Sequence, residues 1–195
     1  MSSRADDLRA VERTLAGDRE AFGELVERWQ GRIHGAIVRM IRDRELARDL
    51  TQDTFLRAYQ KLGGFKGGAA FGTWLYSIAL NVVRSEIRRR SALKNRPPLS
   101  LDALGGTEDG AEYDPPDVGP TAVERLITRE QCDALLAAVA ELDADQREVI
   151  VLREFQNLGY EQIAEAVGVP IGTVRSRLFR ARNELRRRLV DEVRR

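Results

Sequence analysis

Residues Gly159 to Leu189 read GYEQIAEAVGVPIGTVRSRLFRARNELRRRL, and this stretch decides the fold. Ile163, Ala164 and Val167 set an apolar stripe on a first short helix. Gly168 can adopt a positive φ at its end, and Val169-Pro170 stops it from continuing. A second helix begins near Ile171, with Val174 and Leu178 one turn apart on its inner face. Small Ala164 lets the two helices approach, and Val174 fills the crossing. Between the apolar positions stand Thr173, Arg175, Ser176, Arg177, Arg180 and Arg182. The pattern predicts a helix-turn-helix whose second helix offers hydroxyls and bidentate guanidiniums to a DNA major groove.

Charge supports that reading. From Ile171 to Arg195 there are nine Arg against three acids, a net +6, whereas Arg129 to Pro170 carries three Arg against nine acids, a net −6. A merely solvated helix face mixes both signs, and this segregation favours a face that docks on phosphate. Upstream of it, ECDALLAAVAEL and DADQREVIVLREFQ supply two more helices broken at Leu142-Asp143, with Asp143 or Asp145 capping the second. These four helices form the expected C-terminal domain, residues 129–195.

Residues 96–128 differ in character. Pro97, Pro98, Pro115, Pro116 and Pro120, with glycines and a net charge of −5, describe an extended acidic linker. Residues 1–95 then form a second domain. Asp18 caps a helix carrying Phe22, Leu25, Val26 and Trp29; Ile33, Ala36, Ile37, Met40 and Ile41 follow on a further helix after Gly31. A helix over Glu45 to Leu62 buries Leu46, Leu50, Phe55 and Leu62, with Tyr59 partly buried. It leaves Asp49, Gln52, Asp53 and Arg57 elsewhere. Asp49 and Asp53 repel at i, i+4, a small cost that a basic or amide-rich partner would relieve. Gly63-Gly-Phe-Lys-Gly-Gly68 is a flexible loop without the ending of a nucleotide-binding P-loop. The helix after it carries Trp74, Leu75, Ile78, Ala79 and Val82 inward, with Asn81, Arg84, Arg88, Arg89, Arg90 and Lys94 on its remainder. A loop aromatic beside a basic helix suits unstacked bases, although a core helix with a basic end fits the same residues.

The whole chain of 195 residues, at net charge +1, is long enough for two small cores. No apolar run approaches a bilayer span, and the N-terminal MSSRADDLRAVERTLAG lacks a signal-peptide core, so a cytosolic protein without membrane insertion is expected. A lone Cys132 excludes an internal disulfide, and His34 stands alone, so no metal or cofactor is expected.

Three motifs in order resemble the extracytoplasmic-function (ECF) group of bacterial sigma factors, the two-domain initiation subunits of RNA polymerase. DLTQDTFLRAY (Asp49 to Tyr59) is similar to the family's polymerase-docking helix. FKGGAAFGTWLYSIALNVVRSEIRR (Phe65 to Arg89) is similar to its −10 reading and melting segment. The stretch from Leu158 to Leu189 is similar to its −35 reader. The resemblance spans about Asp18 to Leu189 and implies an all-α protein: a region 2-like bundle and a region 4-like helix-turn-helix domain. It implies no enzymatic activity.

By resemblance, Asp49, Gln52, Asp53 and Phe55 contact the β′ clamp helices of the polymerase core, and the second domain meets the β flap. Phe65 and Lys66 hold a flipped non-template base, Asn81 and Arg84 contact it or its backbone, and Arg88 and Arg89 hold phosphates. Thr173 caps or touches phosphate, while Arg175, Ser176, Arg177, Phe179 and Arg180 lie on or beside the −35 groove face. The linker threads toward the active site and RNA exit path. An anti-sigma factor is the implied regulator, with any metal or redox sensing residing in that partner, and the regulon implied is a stress or envelope response. Two other readings differ in kind. A stand-alone helix-turn-helix activator or repressor has no use for the exposed Asp49/Asp53 pair. A nucleic-acid enzyme lacks any His/Cys/carboxylate constellation.

Overall fold

The computed structural model describes residues 4–94 and 129–193, which are helical with no strand among them. The expected acidic linker, 96–128, lies outside the described residues. In the first half come α1 (Arg4–Leu15), α2 (Arg19–Ile41), α3 (Arg44–Lys61), a 3-10 turn (Leu62–Gly64) and α4 (Phe71–Lys94). The second half holds α5 (Arg129–Ala140), α6 (Ala144–Ile150), a π-helical turn (Val151–Phe155), α7 (Tyr160–Val167) and α8 (Ile171–Val193).

Helix α1 lies in a stretch that reads in sequence only as charged. It buries Ala10 and Val11, and it sinks Asp7 to 4% exposure. That carboxylate is satisfied: Arg28 donates to it at 2.7 Å and the Trp29 indole N–H at 3.3 Å. Buried charge is tolerable only when so paired.

Asp18 caps α2 as expected, accepting from the Glu20 and Ala21 amides. The break expected after Gly31 does not occur; α2 is one continuous helix. A helical glycine costs about 1 kcal/mol relative to Ala. Phe22, Leu25, Ile33, Ala36, Ile37 and Met40 are all buried along one side of the unbroken helix, which outweighs that cost. The chain turns at Arg42, in the left-handed region at φ 55°, whose N–H closes on Val38 O.

Asp43 caps α3, which buries Ala47, Leu50, Thr54, Phe55 and Ala58. Thr51 and Thr54 enter the core because each hydroxyl donates back to its own helix, at 2.6 Å to Ala47 O and Leu50 O. In α4, Leu75, Ile78, Ala79 and Val82 are buried as the spacing predicts, Trp74 is only partly buried, and Phe71 joins the core. Gly72 is required by packing: the Trp29 ring lies so close that a Cβ there would meet it at 2.0 Å.

In the second half, Asp143 stands at the N-cap of α6, but its side chain makes no capping bond, contrary to the sequence expectation. Its backbone carbonyl accepts instead from the Gln146 and Arg147 amides. The turn of the helix-turn-helix is as predicted. Gly168 sits at φ 78° and its N–H bonds Ala164 O at 2.9 Å. Ile163, Val174 and Leu178 are fully enclosed, and Ala164 packs against them.

The two halves dock. Helix α7 packs on α4, and α5 packs on α2.

Candidate nucleic-acid interface

The second helix of the helix-turn-helix, α8, divides its cations into two sets. Arg175 and Arg180 are exposed and have no ion pair among the described residues, and Phe179 beside them is 68% exposed. Ser176 and Thr173 are half-buried, and the Ser176 hydroxyl donates to Thr173 O at 2.9 Å. Arg177 is different: only 19% of its side chain is exposed, and Asp145 of α6 pairs with its guanidinium. The sequence puts it among the groove-facing residues; the structure turns it inward to brace α8 on α6. Arg182 is likewise held, by Glu154 at 2.7 Å.

The glycine loop is less free than its composition suggests. Gly63 and Gly64 lie in the 3-10 turn, and Arg4 of α1 donates to Gly67 O at 3.1 Å and Gly68 O at 3.2 Å. Only Gly67, at φ 71°, uses the left-handed region. Phe65 is half-buried, its ring 5.1 Å from Trp74 and 5.8 Å from Phe71 between centroids, so the loop aromatic is braced from behind. Lys66 is exposed beside it.

Along α4, Asn81 is exposed, and Arg88 and Arg89 are exposed about two turns on. Arg89 is held by Glu86 at 2.7 Å. The Arg89 and Arg90 bonds hold the Glu86 carboxyl well below the usual carboxylate range, at about 2. Arg84, between Asn81 and Arg88, does not face solvent alone. It donates from Nε and Nη2 to both carboxylate oxygens of Glu148 on α6, at 2.7 and 2.6 Å. This bidentate pair raises the guanidinium above its ordinary value. Glu148 itself is 6% exposed. No feature of the sequence signals this partnership, since the two residues are 64 positions apart.

On α3, Asp49, Gln52, Asp53 and Leu56 recur at i, i+3, i+4 and i+7 and so share one face. Asp49 and Gln52 are exposed, and Asp53 is half-exposed with Arg57 bonded to it at 2.9 Å. Phe55, at 7% exposure, lies in the core as the apolar spacing predicts, so it supports the face from within rather than standing on it as the resemblance implies. The large apolar side chain that does stand on the face is Leu56, 58% exposed, which sequence reasoning passed over. Tyr59 continues the face at 42% exposure, more open than expected, with its ring edge against Phe22. Among the described residues no group of His, Cys, Asp and Glu could hold a metal, and no helix is long and apolar enough to cross a membrane. His34 is a structural residue, with Thr51 Oγ1 3.4 Å from its Nδ1.

Comparison with known proteins accounts for this arrangement. Residues 25–93 match the family model for sigma-70 region 2, and residues 132–185 match that for sigma-70 region 4. The two together define a sigma-70-type initiation factor. The chain is 39% identical over 186 residues to the RNA polymerase sigma-H factor of Pseudomonas aeruginosa, covering 95% of this chain and 94% of that one. It is 34% identical to the ECF RNA polymerase sigma-E factor of Escherichia coli, with both chains covered in full. The protein therefore belongs to the ECF sigma factors, which direct transcription initiation. Two solved structures share its fold. CnrH in complex with the cytosolic domain of CnrY aligns with a TM-score of 0.63 at 25% identity, covering 97% of each chain. The sigma factor RpoE of Bartonella quintana, in complex with the anti-sigma factor NepR, aligns at 0.64 and 27% identity, covering 86% of this chain and 96% of that one.

Proposed function

We propose that the α3 face built from Asp49, Gln52, Asp53 and Leu56 docks on the polymerase core, and that the two remaining basic surfaces read a two-part promoter. The observation that carries the reading is the matched pair of sigma regions in one chain, each presenting exposed groups of the right chemistry. At the −10 element, Lys66, Asn81, Arg88 and Arg89 track the strand, while Phe65 offers a ring edge to an extruded base. Arg84 joins them once released from Glu148. Extrusion costs a few kcal/mol in lost stacking. A factor without ATP recovers it from stacking and phosphate contacts of this kind, which is how the −10 region melts. At the −35 element, the N-terminal half of α8 enters the major groove, with Arg175 and Arg180 toward bases or phosphates and Phe179 against the groove wall. Thr173 and Ser176 supply hydroxyls near phosphate.

The domains act as residues 1–95 and 129–195, joined by the acidic segment between them. An anti-sigma factor regulates the protein, a reading supported by the two structural neighbours, both solved with such a partner or a cytosolic partner domain. A stress or envelope-response regulon is proposed from the resemblance to the ECF group.

Run-off transcription with purified bacterial core polymerase on a genomic promoter library tests the proposal. New starts that share a two-part motif, and appear only with this protein, are expected. Duplex binding without new starts would assign it instead to stand-alone regulation.

A further inference from the structure

Phe65 and Lys66 of the glycine loop stand between two anchors. On one side the Phe65 N–H closes the 3-10 turn on Leu62 O at 3.0 Å. On the other, one terminal nitrogen of Arg4 donates to both Gly67 O and Gly68 O, at 3.1 and 3.2 Å. Gly67, at φ 71°, can leave that conformation at little cost, so a glycine loop keeps one shape only when something holds it. Leu8, one turn along α1 from Arg4, also follows the loop: its Cδ2 lies 3.7 Å from where a Cβ on Gly67 would stand.

Arg4 is the first residue of α1, the end at which the helix dipole opposes a cation. The two loop carbonyls facing it offset that cost. Helix α1 is itself fixed from beneath. Buried Asp7 accepts from Arg28 and from the Trp29 indole, Trp29 packs on Phe71, and Phe71 and Trp74 back the Phe65 ring. The helix thus meets the loop twice, directly through Arg4 and from behind through Asp7 and Trp29. It precedes residues 25–93, the stretch that matches region 2. We propose that Arg4 is a positioning residue for base selection. By holding the Gly67 and Gly68 carbonyls it fixes Phe65 and Lys66, so that an extruded −10 base meets ring and ammonium in one geometry. The inference rests on the −10 reading of this loop. A held loop loses less conformational freedom on binding. It also presents one surface to bases of different size and edge, whereas a loose loop adapts to each.

The test compares the full chain with Arg4→Met, which keeps the stem and the helix propensity but has no donor, and with Arg4→Lys, whose ammonium can still reach a carbonyl. Arg4 is exposed, so neither variant opens the core. Lysyl endopeptidase reads the loop in the free protein. The cut after Lys66, relative to that after Lys61, should quicken about three- to tenfold in Arg4→Met as the loop opens more often. Arg4→Lys should recover part of the difference. Holoenzyme made with purified core polymerase reads selection, by run-off transcription from a promoter the parent recognises, varied one base at a time across both elements. In Arg4→Met the preference for the best base over the worst should fall about three- to tenfold at one −10 position. Preferences at −35, affinity for core and melting temperature should match the parent's. An unchanged cut after Lys66 overturns the anchor. A faster cut with parental base preferences overturns the role in selection, and so does an equal loss on every template with a lowered melting temperature. If the parent itself starts no transcripts with core polymerase, the promoter reading has failed and the selection role with it, an outcome the parent alone reveals.

Discussion

At Gly72 a Cβ would lie 2.0 Å from the Trp29 ring, which itself packs edge-on against Phe71 and Tyr76 and donates to Asp7. The ring has nowhere to retreat. Gly72→Ala should therefore destabilise by about 2–3 kcal/mol despite the better helix propensity of alanine; a denaturant midpoint equal to the parent's would show that the ring moves freely. On α8 the structure redirects mutagenesis. Arg175→Ala should weaken use of its own promoters by about 1–3 kcal/mol if the side chain reads a base. Arg177→Ala should act chiefly on stability, since its guanidinium is spent on Asp145; promoter-selective loss there with an unchanged melting temperature would contradict the assignment. Sequence could place both arginines near the start of the second helix. It could not separate them, because a rotation of about 100° per residue decides which one faces α6.

Helices were legible wherever an apolar face recurred at helical spacing, as in α4 and α8, and their ends where Asp18 or Gly168 stood in place. Gly31 misled because local propensity argues for a break there, while the buried face of α2 runs on to Met40. Phe55 carries two readings: the apolar spacing puts it in the core, where it lies, while the motif resemblance puts it at the partner contact. The α3 face makes a firm prediction. Leu56→Ala and Asp53→Ala should each weaken binding to core polymerase by about 1–2 kcal/mol, roughly 5- to 30-fold, with helicity retained; parent affinity in a titration with labelled core would remove the face from the interface. Between α2 and α3, burial pushes the His34 pKa below its ordinary 6.5, assisted by Arg48 and Arg44. Above pH 6.5 neither folded nor unfolded chain protonates this ring. Below it the unfolded chain takes up a proton that the folded one resists, so stability is lost as pH falls. Thermal melts from pH 7.5 to 5.5 should show this loss, diminished in His34→Gln.

For the molecule as a whole, two helical halves and a compositionally distinct segment between them could be read directly from the chain, whereas their docking could not. Arg84 with Glu148, Arg147 with Met40 and Tyr76 with Gln156 join positions far apart in sequence, and no spacing rule links them. Both halves contribute buried apolar residues to one contiguous cluster. Residues 1–95 alone should melt cooperatively by circular dichroism, at a lower temperature than in the full chain, since Met40 O and Arg84 lose partners; a featureless melt would make the halves interdependent for folding. The pairing of α8 carries a consequence for how tightly salt governs the encounter with DNA. Nine arginines lie from residue 171 onward. If each displaced a condensed counterion, the logarithm of affinity would fall with the logarithm of salt at a slope of about −8. Arg177, Arg182, Arg187 and Arg188 are already paired with Asp145, Glu154, Glu184 and Glu141. Arg175, Arg180 and Arg186 are left exposed and unpaired among the described residues, and Arg194 and Arg195 lie outside them, so three to five displaced ions give a slope of about −3 to −5. Attraction to any stretch of duplex then rests on fewer released ions and varies less with ionic strength. What holds the second domain at one site rather than its neighbours is base-edge chemistry, with little ionic background to search through.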